Sequence, residues 1–334
     1  MKTSVFIFLT FFSVTHFFSQ NSGFVSAIGF WNVENLYDTL DDPLKNDNEF
    51  TPLGSNRWDS AKYHLKIDRL SEVISNMAIE EVKEGLAILG LCEVENKSVL
   101  RDLVESSRLK ARAYEFLIIE GPDSRGIDPA LIYSPVFFKV SGSAAFKVPM
   151  VVDTSHQTRN ILLVRGQLQN EELVILVNHW PSRRGGEINS RPNRISAAMK
   201  AKQICDSIRK AAPKTKIIVM GDFNDDPIDK SVEKITKSGL FFNPMEGPFK
   251  KGIGTLAWRD RWNLFDQILL SGSFLSGDQK SWQFSDVRIY NKNFLRVATG
   301  NFKGYPYRTY SGGVYSGGYS DHFPVYILLK KKID

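Results

Sequence analysis

The chain has 334 residues, 42% of them hydrophobic and 24% charged, which excludes a mainly disordered, collagen-like or coiled-coil protein. Lysine and arginine outnumber aspartate and glutamate by 43 to 37, a formal charge of +6 that permits an anionic partner without demanding one. Two cysteines, Cys92 and Cys205, are too few for a disulfide-stapled fold or a cysteine zinc site, and their apolar flanks read as core.

Residues 1–20 open with Lys2, pass through an apolar stretch over 5–12 and close on Ser19-Gln20, the pattern of a secretory signal. The stretch falls short of the ~20 apolar residues that cross a bilayer. An amino-terminal anchor is the alternative reading. Cleavage would leave residues 21–334 as a single domain, exported and either secreted or periplasmic, with no linker or repeat to divide it. Short apolar runs predict strands over 27–30, 86–92, 116–119, 130–133, 161–168, 173–177, 217–220, 265–270 and 325–329. Several are continuous rather than alternating, as in strands buried on both faces. Between them, Ile67, Leu70, Ile74 and Met77 share one helical face, and Ile195, Ala198, Met199, Cys205 and Ile208 trace another, with Met199 as core filler. Strands and helices mixed throughout predict a layered α/β domain. Periodicity alone does not decide between one sheet and two. The segments 252–261 and 301–319, rich in glycine and aromatics, read as loops.

Polar residues cluster where the apolar runs stop. Phe30-Trp31 leads into Asn32-Val33-Glu34-Asn35, and the run ending at Cys92 leads into Glu93-Val94-Glu95-Asn96. The run ending at Val177 leads into Asn178-His179-Trp180, the run ending at Met220 into Gly221-Asp222-Phe223-Asn224-Asp225, and Ser320-Asp321-His322 precedes the last strand. Strand ends in α/β folds converge on one edge, where ligands bind. Glu93, Asp321 and the amide oxygen of Asn32 are hard donors that suit Mg²⁺ or Mn²⁺. Asp222 could deprotonate a water while Asn224 holds it, since residues two apart in extended chain face the same way. His179 and His322 could donate hydrogen bonds to phosphoryl oxygens as charge develops. Taken singly, each motif also reads as ordinary turn chemistry.

Together and in this order, these segments resemble the endonuclease/exonuclease/phosphatase superfamily over residues 26–329. The resemblance implies a four-layer sandwich: two mixed β-sheets packed face to face, with helices on the outside. It implies a divalent-metal-dependent phosphoric ester hydrolase. In this resemblance Asn32 and Glu93 match residues at the metal, and His179 matches a phosphate-contacting position. Asp222 and Asn224 match the pair that activates and orients the nucleophile. Asp266 resembles an aspartate that buttresses the catalytic histidine, and Asp321 with His322 match the final metal-linked aspartate and that histidine. Two departures stand out: His179 occupies a position that is Tyr in the abasic-site enzymes, and Gln267 follows Asp266 where an aromatic residue is common.

The substrate is sought outside this core. Arg183, Arg184, Arg191 and Arg194 follow His179 in a segment read as a basic loop that could grip phosphates, and Arg125 with Asp128 could add a contact and its positioning carboxylate. Phe302, Tyr305, Tyr307, Tyr310, Tyr315 and Tyr319 could stack on bases, pack on one another or meet lipid. Nucleic acid is therefore the expected substrate. A phospholipid or a small phosphate ester is the alternative, and a non-catalytic binding module is a further one. No clearly hydrophobic hairpin of the kind that would serve a lipid is legible, and no obligate protein partner is implied.

Overall fold

The computed structural model describes residues 23–332, so the expected signal segment lies outside the described residues. Two six-stranded sheets dominate. The first has the order β13 (Gln283–Ile289), β16 (Val325–Lys332), β1 (Gly23–Leu36), β2 (Leu86–Val94), β4 (Asp128–Tyr133) and β3 (Glu115–Ile118). The second has the order β5 (Phe138–Phe146), β6 (Ile161–Leu168), β7 (Glu171–His179), β8 (Lys216–Asp222), β12 (Asp266–Ser271) and β9 (Phe241–Phe242). Each sheet is antiparallel except for one central pair: β1 runs parallel to β2, and β7 parallel to β8. Parallel neighbours need a crossover connection. Helix α1 (Ser60–Asn76) supplies the first and α3 (Glu187–Ala211) the second. The two β-α-β units send both parallel pairs toward a shared edge.

Burial sorts the side chains into three apolar layers. Ile28, Phe30, Ile88, Cys92, Val177, Met220, Ile268 and Ile327 form the seam between the sheets. The outer face of the first sheet packs on α1 and α2 (Lys97–Glu105) through Ile67, Leu70, Ile74, Met77 and Leu100. The outer face of the second packs on α3 and α4 (Lys230–Thr236). The sandwich is therefore four layers deep, as the resemblance implied, and both cysteines are buried and unpaired.

The α3 stripe differs from expectation. Met199 is 48% exposed, and the sheet is met instead by Ala197, Ala198, Ala201, Ile204, Cys205 and Ile208. Three alanines let the helix sit close to the strands, a contact that a methionine would prop open. The glycine-rich segments contain two small hairpins, β10 (Leu256–Trp258) with β11 (Arg261–Asn263) and β14 (Tyr310–Ser311) with β15 (Val314–Tyr315). The six aromatics predicted over 302–319 largely pack on one another and on Trp58, Trp262 and Phe294 rather than standing free. Among the described residues, no helix is long and apolar enough to cross a membrane.

Candidate active site

The site is built where the two parallel pairs end. On the second sheet, register sets His179 beside Asp222, and Asp222 beside Asp266 on the antiparallel strand β12. On the first, Asn32 pairs with Cys92, one residue short of Glu93. The sheets then meet across the seam: the Asn32 amide donates from Nδ2 to Asp222 Oδ2 at 3.0 Å, although 190 residues separate them. Gly221 is required just before Asp222, because a Cβ there would stand 2.3 Å from the Asn178 carbonyl oxygen. That close approach brings β7 and β8 together immediately below the site.

Asp222 is 2% exposed and accepts hydrogen bonds at both oxygens, from the Asn32 side chain and from the Asn224 backbone N–H at 2.9 Å. Burial pushes its carboxyl up to about 6, against the attraction of His322 and these two bonds. Asn224 does not continue the strand. Its φ of 50° places it in the left-handed region, so the extended-chain reason for pairing it with Asp222 fails. An Asx turn replaces it, and the Asn224 side chain donates to the Trp180 carbonyl oxygen at 3.0 Å.

His322 and Asp266 form the second unit. His322 Nδ1 lies 2.6 Å from Asp266 Oδ2, and both side chains are buried. Burial opposes charge on the imidazole, but Asp266, then Asp321 and Asp222, hold His322 well above its usual range, so it is an imidazolium. Its backbone carbonyl accepts from Trp31 Nε1 at 2.9 Å, and Ser320 Oγ donates to the Asn32 carbonyl oxygen at 2.6 Å. These bonds fasten the last motif to the first. His179 behaves oppositely. Burial, with Arg159 and Arg125 nearby, drives its imidazole well below the usual range and keeps it neutral. Its Nε2 stands 3.7 Å from Asp222 Oδ2 and 4.0 Å from Glu93 Oε1.

A third unit is acidic. Glu93, with φ of 64°, turns the chain at the end of β2 and accepts from the Asn35 N–H at 2.9 Å through Oε2. Its Oε1 has only longer approaches, to Arg125 at 3.7 Å and to His179. Asp321 Oδ2 accepts from Arg308 at 3.0 Å, and its other oxygen lies 3.9 Å from His322 Nε2. Arg308 also reaches Glu34 Oε1 at 3.2 Å, while Glu34 Oε2 takes the Thr309 N–H at 2.7 Å. Glu34 is 4% exposed, and burial plus the Asp321 charge push its carboxyl up to about 7. Buried Lys66, bound to Thr309 Oγ1 and the Tyr319 carbonyl oxygen at 2.7 Å each, is pulled down to about 8 by the same burial.

Glu34, Arg308 and Lys66 were not singled out by sequence reading. Lys66 had a readable sign, a lysine inside the buried α1 stripe of Tyr63, Ile67, Leu70 and Ile74. Glu34 had none beyond its motif, and Arg308 lies 274 residues away from it in a segment read as loop.

The donor set fits a hard divalent ion: Glu93 Oε1 is under-coordinated, and Asp321 and Glu34 stand about a common cation, Arg308. Asn32 fits a ligand role less well than expected. Its Oδ1 already accepts from the Glu34 N–H at 3.0 Å, and its amide N–H serves Asp222. A softer grouping of Cys92, His179 and Asp222, whose atoms lie within 4.8 Å of one another, is set aside on chemistry. Burial holds the Cys92 thiol well above its usual range, so it stays protonated and serves as packing.

The substrate-binding arginines need correction. Residues 187–194 begin helix α3 rather than continue a loop. Arg183 is taken up by Glu187, Asp225 and Asp229 at 2.7–3.0 Å and stacks on Phe265. Arg191 pairs with Glu187 at 3.1 Å, and fully buried Arg194 pairs with Asp225 at 2.7 Å. Acidic side chains of the 225–229 turn lie just past Asn224, and these arginines neutralise them. Arg184 alone of the four is left exposed, with a bond only through its backbone. Arg125 does approach the site, but its second carboxylate is Asp123 at 3.8 Å, not Asp128, which instead accepts from the Gly121 N–H. A cleft of about 210 Å³ opens beside Glu34, lined by Tyr37, Arg125, Arg308 and Tyr310.

Buried Asp222, a charged imidazole backed by Asp266 and a neutral imidazole, with Glu93 and Asp321 at their edge, are groups that suit phosphoester hydrolysis. The family model for the endonuclease/exonuclease/phosphatase family matches residues 27–331, and the chain belongs to that family. The fold is similar to an endonuclease/exonuclease/phosphatase family protein from Bacteroides thetaiotaomicron, with a TM-score of 0.56 and 15% identity, covering 93% of this chain and 100% of that one. A mannosyl-6-phosphatase from the same organism gives a TM-score of 0.56 at 15% identity, covering 91% and 99%. D. rerio TDP2 complexed with single-strand DNA product gives 0.55 at 16%, covering 91% and 98%. No curated protein matches the sequence.

Proposed function

We propose that this chain is an exported, divalent-metal-dependent phosphodiester hydrolase acting on nucleic acid. The observation that carries the chemistry is buried Asp222, held by Asn32 and Asn224, beside the Asp266–His322 pair, with Glu93 4.0 Å from His179 and Asp321 3.9 Å from His322. Asp222 takes the proton of the attacking water; a base with a carboxyl near 6 is ionised at neutral pH yet basic enough to accept it. His322 donates from Nε2 to a non-bridging oxygen, and Asp266 keeps that imidazole charged and aimed. Neutral His179 supplies a second donor from its Nε2 side. Glu93 and Asp321, with Glu34 behind them, are the residues that would hold Mg²⁺ or Mn²⁺. When bound, such an ion polarises the phosphoryl group and stabilises the leaving oxygen. Arg125 and Arg308, 42% and 46% exposed at their side chains, present guanidinium groups to the substrate. The apolar run over residues 5–12 supports export.

A second reading, a phosphomonoesterase acting on a phosphorylated sugar, is favoured by a specific observation. With Arg183, Arg191 and Arg194 tied to carboxylates, few cations remain to follow a polyanionic backbone, and the cleft at Arg125 and Arg308 is small and polar. A phospholipid substrate gains one feature that the sequence did not reveal: the β10–β11 hairpin carries Trp258, 67% exposed, next to Arg259.

The deciding experiment incubates purified protein with a single-stranded oligonucleotide, RNA, mannose 6-phosphate and sphingomyelin vesicles, each in Mg²⁺ and in EDTA. Mg²⁺-dependent cleavage of the oligonucleotide or RNA is expected. Intact nucleic acid alongside phosphate release from the sugar, or cleavage of the lipid, would replace the nuclease reading with the corresponding alternative.

A further inference from the structure

A second acidic cleft, distinct from the hydrolytic cluster, lies between the loop after β1 and the ends of β2 and β4. It has a volume of about 320 Å³ and is lined by Asp38, Asp41, Asp42, Asp47, Glu95, Glu120 and Asp128. The one basic lining residue, Lys45, spends its ammonium on the Gly121 and Asp123 carbonyl oxygens, at 2.9 and 3.1 Å. Acidity alone would mean little on a solvated surface. Here two of the lining carboxylates are buried and incompletely satisfied. Asp47 is 2% exposed and Asp128 1%, and each keeps one oxygen, Oδ1, without a hydrogen-bond partner. Their other oxygens are fixed, Asp47 Oδ2 by the Asp42 N–H at 3.1 Å and Asp128 Oδ2 by the Gly121 N–H at 2.7 Å. A buried carboxylate oxygen without a partner costs free energy that a coordinated cation would remove.

We propose that this cleft is a structural divalent-cation site of calcium type. Ca²⁺ takes six to eight oxygens in adaptable geometry, which suits donors drawn from two loops and two strand ends better than the strict octahedron of Mg²⁺ does. The bound ion fastens the loop over 38–47 to Glu95 on one side and Asp128 on the other. Tyr37, which starts that loop, donates to the Arg125 carbonyl oxygen at 2.8 Å, so the ion steadies one wall of the substrate cleft. The site does not depend on the hydrolase reading.

The test is calorimetric titration of chelator-treated full-length protein with CaCl₂, paired with melting curves. Four proteins are compared: wild type, a Glu93→Gln/Asp321→Asn double variant, Asp47→Asn, and an Asp41→Asn/Glu120→Gln double variant. Both residues of that last pair are exposed. Wild type and the Glu93→Gln/Asp321→Asn protein are expected to bind Ca²⁺ and melt roughly 5 °C higher at saturation. The Asp41→Asn/Glu120→Gln protein is expected to lose at least tenfold in Ca²⁺ affinity with an unchanged metal-free melting point. Asp47→Asn should lose more, and if it fails to fold the exposed pair decides. Ca²⁺ binding that disappears with Glu93 and Asp321, or that survives the Asp41/Glu120 substitutions unweakened, would overturn the site. Equal affinity for Mg²⁺ would overturn its assignment to calcium.

Discussion

Asp222 and Asp266 face one another across adjacent antiparallel strands, yet their carboxylates do opposite work. Asp222 receives two N–H donors and stands 3.7 Å from His179 Nε2, whereas Asp266 binds the His322 imidazole at 2.6 Å. Removing the Asp266 charge should therefore act through His322. Asp266→Asn is expected to lower turnover by about 10²-fold with KM nearly unchanged, since the lost donor serves the transition state. The His322 titration, followed by NMR, should fall by more than a pH unit. An unmoved imidazole titration would contradict the pairing.

The raised carboxyl of Asp222 sets the acid side of the pH profile. Its folded value of about 6 lies above the ordinary aspartate value, so the ionised form is disfavoured by folding, and kcat/KM should decline about tenfold per unit below that pH. Asn32 donates to the ionised form. Asn32→Ala should thus move the limb upward, toward neutral pH, and a limb that stays in place would separate it from Asp222.

His322 carries a stability signature of the other kind. Its folded value is raised, so its contribution is fully present below the unfolded value near 6.5 and is lost as pH rises through the folded value. Wild type should lose this increment on the alkaline side, and His322→Gln should show a flatter dependence there. Parallel pH–stability curves for the two proteins would refute the claim.

Arg308 sits between Glu34 and Asp321 as an internal counter-charge. Where a divalent ion joins the same carboxylates, it adds to the compensation that Arg308 and buried Lys66 supply. Arg308→Gln is expected to lower the melting point of EDTA-treated protein more than that of Mg²⁺-treated protein. Equal losses in both conditions would show that Arg308 and the ion do not share these groups.

Arg183 and Arg184 are neighbours with different fates. Arg183→Ala removes one cation from buried Asp225, which keeps Arg194, and from Asp229, and should cost about 2 kcal/mol of stability in urea unfolding. Arg184→Ala, at an exposed position, should leave stability within about 0.5 kcal/mol. The reverse order would restore a substrate role for Arg183.

Much of this arrangement was legible because buried strands in such a sandwich are continuous apolar runs. All nine predicted runs fall in strands of the two sheets. The strands passed over, β5, β9 and β13, are edge strands: β9 is only two residues long, and the other two, as in Lys139-Val140-Ser141-Gly142-Ser143, alternate with solvent-facing polar residues or lack bulk. The grouping of Asn32, Glu93, His179, Asp222, Asn224, Asp321 and His322 was legible from strand ends, whereas Asp266 entered only through the family resemblance. What spacing could not convey was pairing among charges. Nothing in a string of arginines shows that Asp225, Asp229 and Glu187 will claim them, and nothing local links Glu34 to Arg308. Those partnerships are set by the way the 225–229 turn and the 301–319 segment fold back over the strand ends.

The most direct test is anomalous diffraction from crystals grown in Mn²⁺. A single peak at the strand-end cluster within coordination distance of both Glu93 and Asp321, beside Asp222 and His322, is the expected result. Mn²⁺ found only in the Asp47–Asp128 cleft, or Glu93 and Asp321 turned toward separate ions with neither near Asp222, would contradict a shared hydrolytic centre.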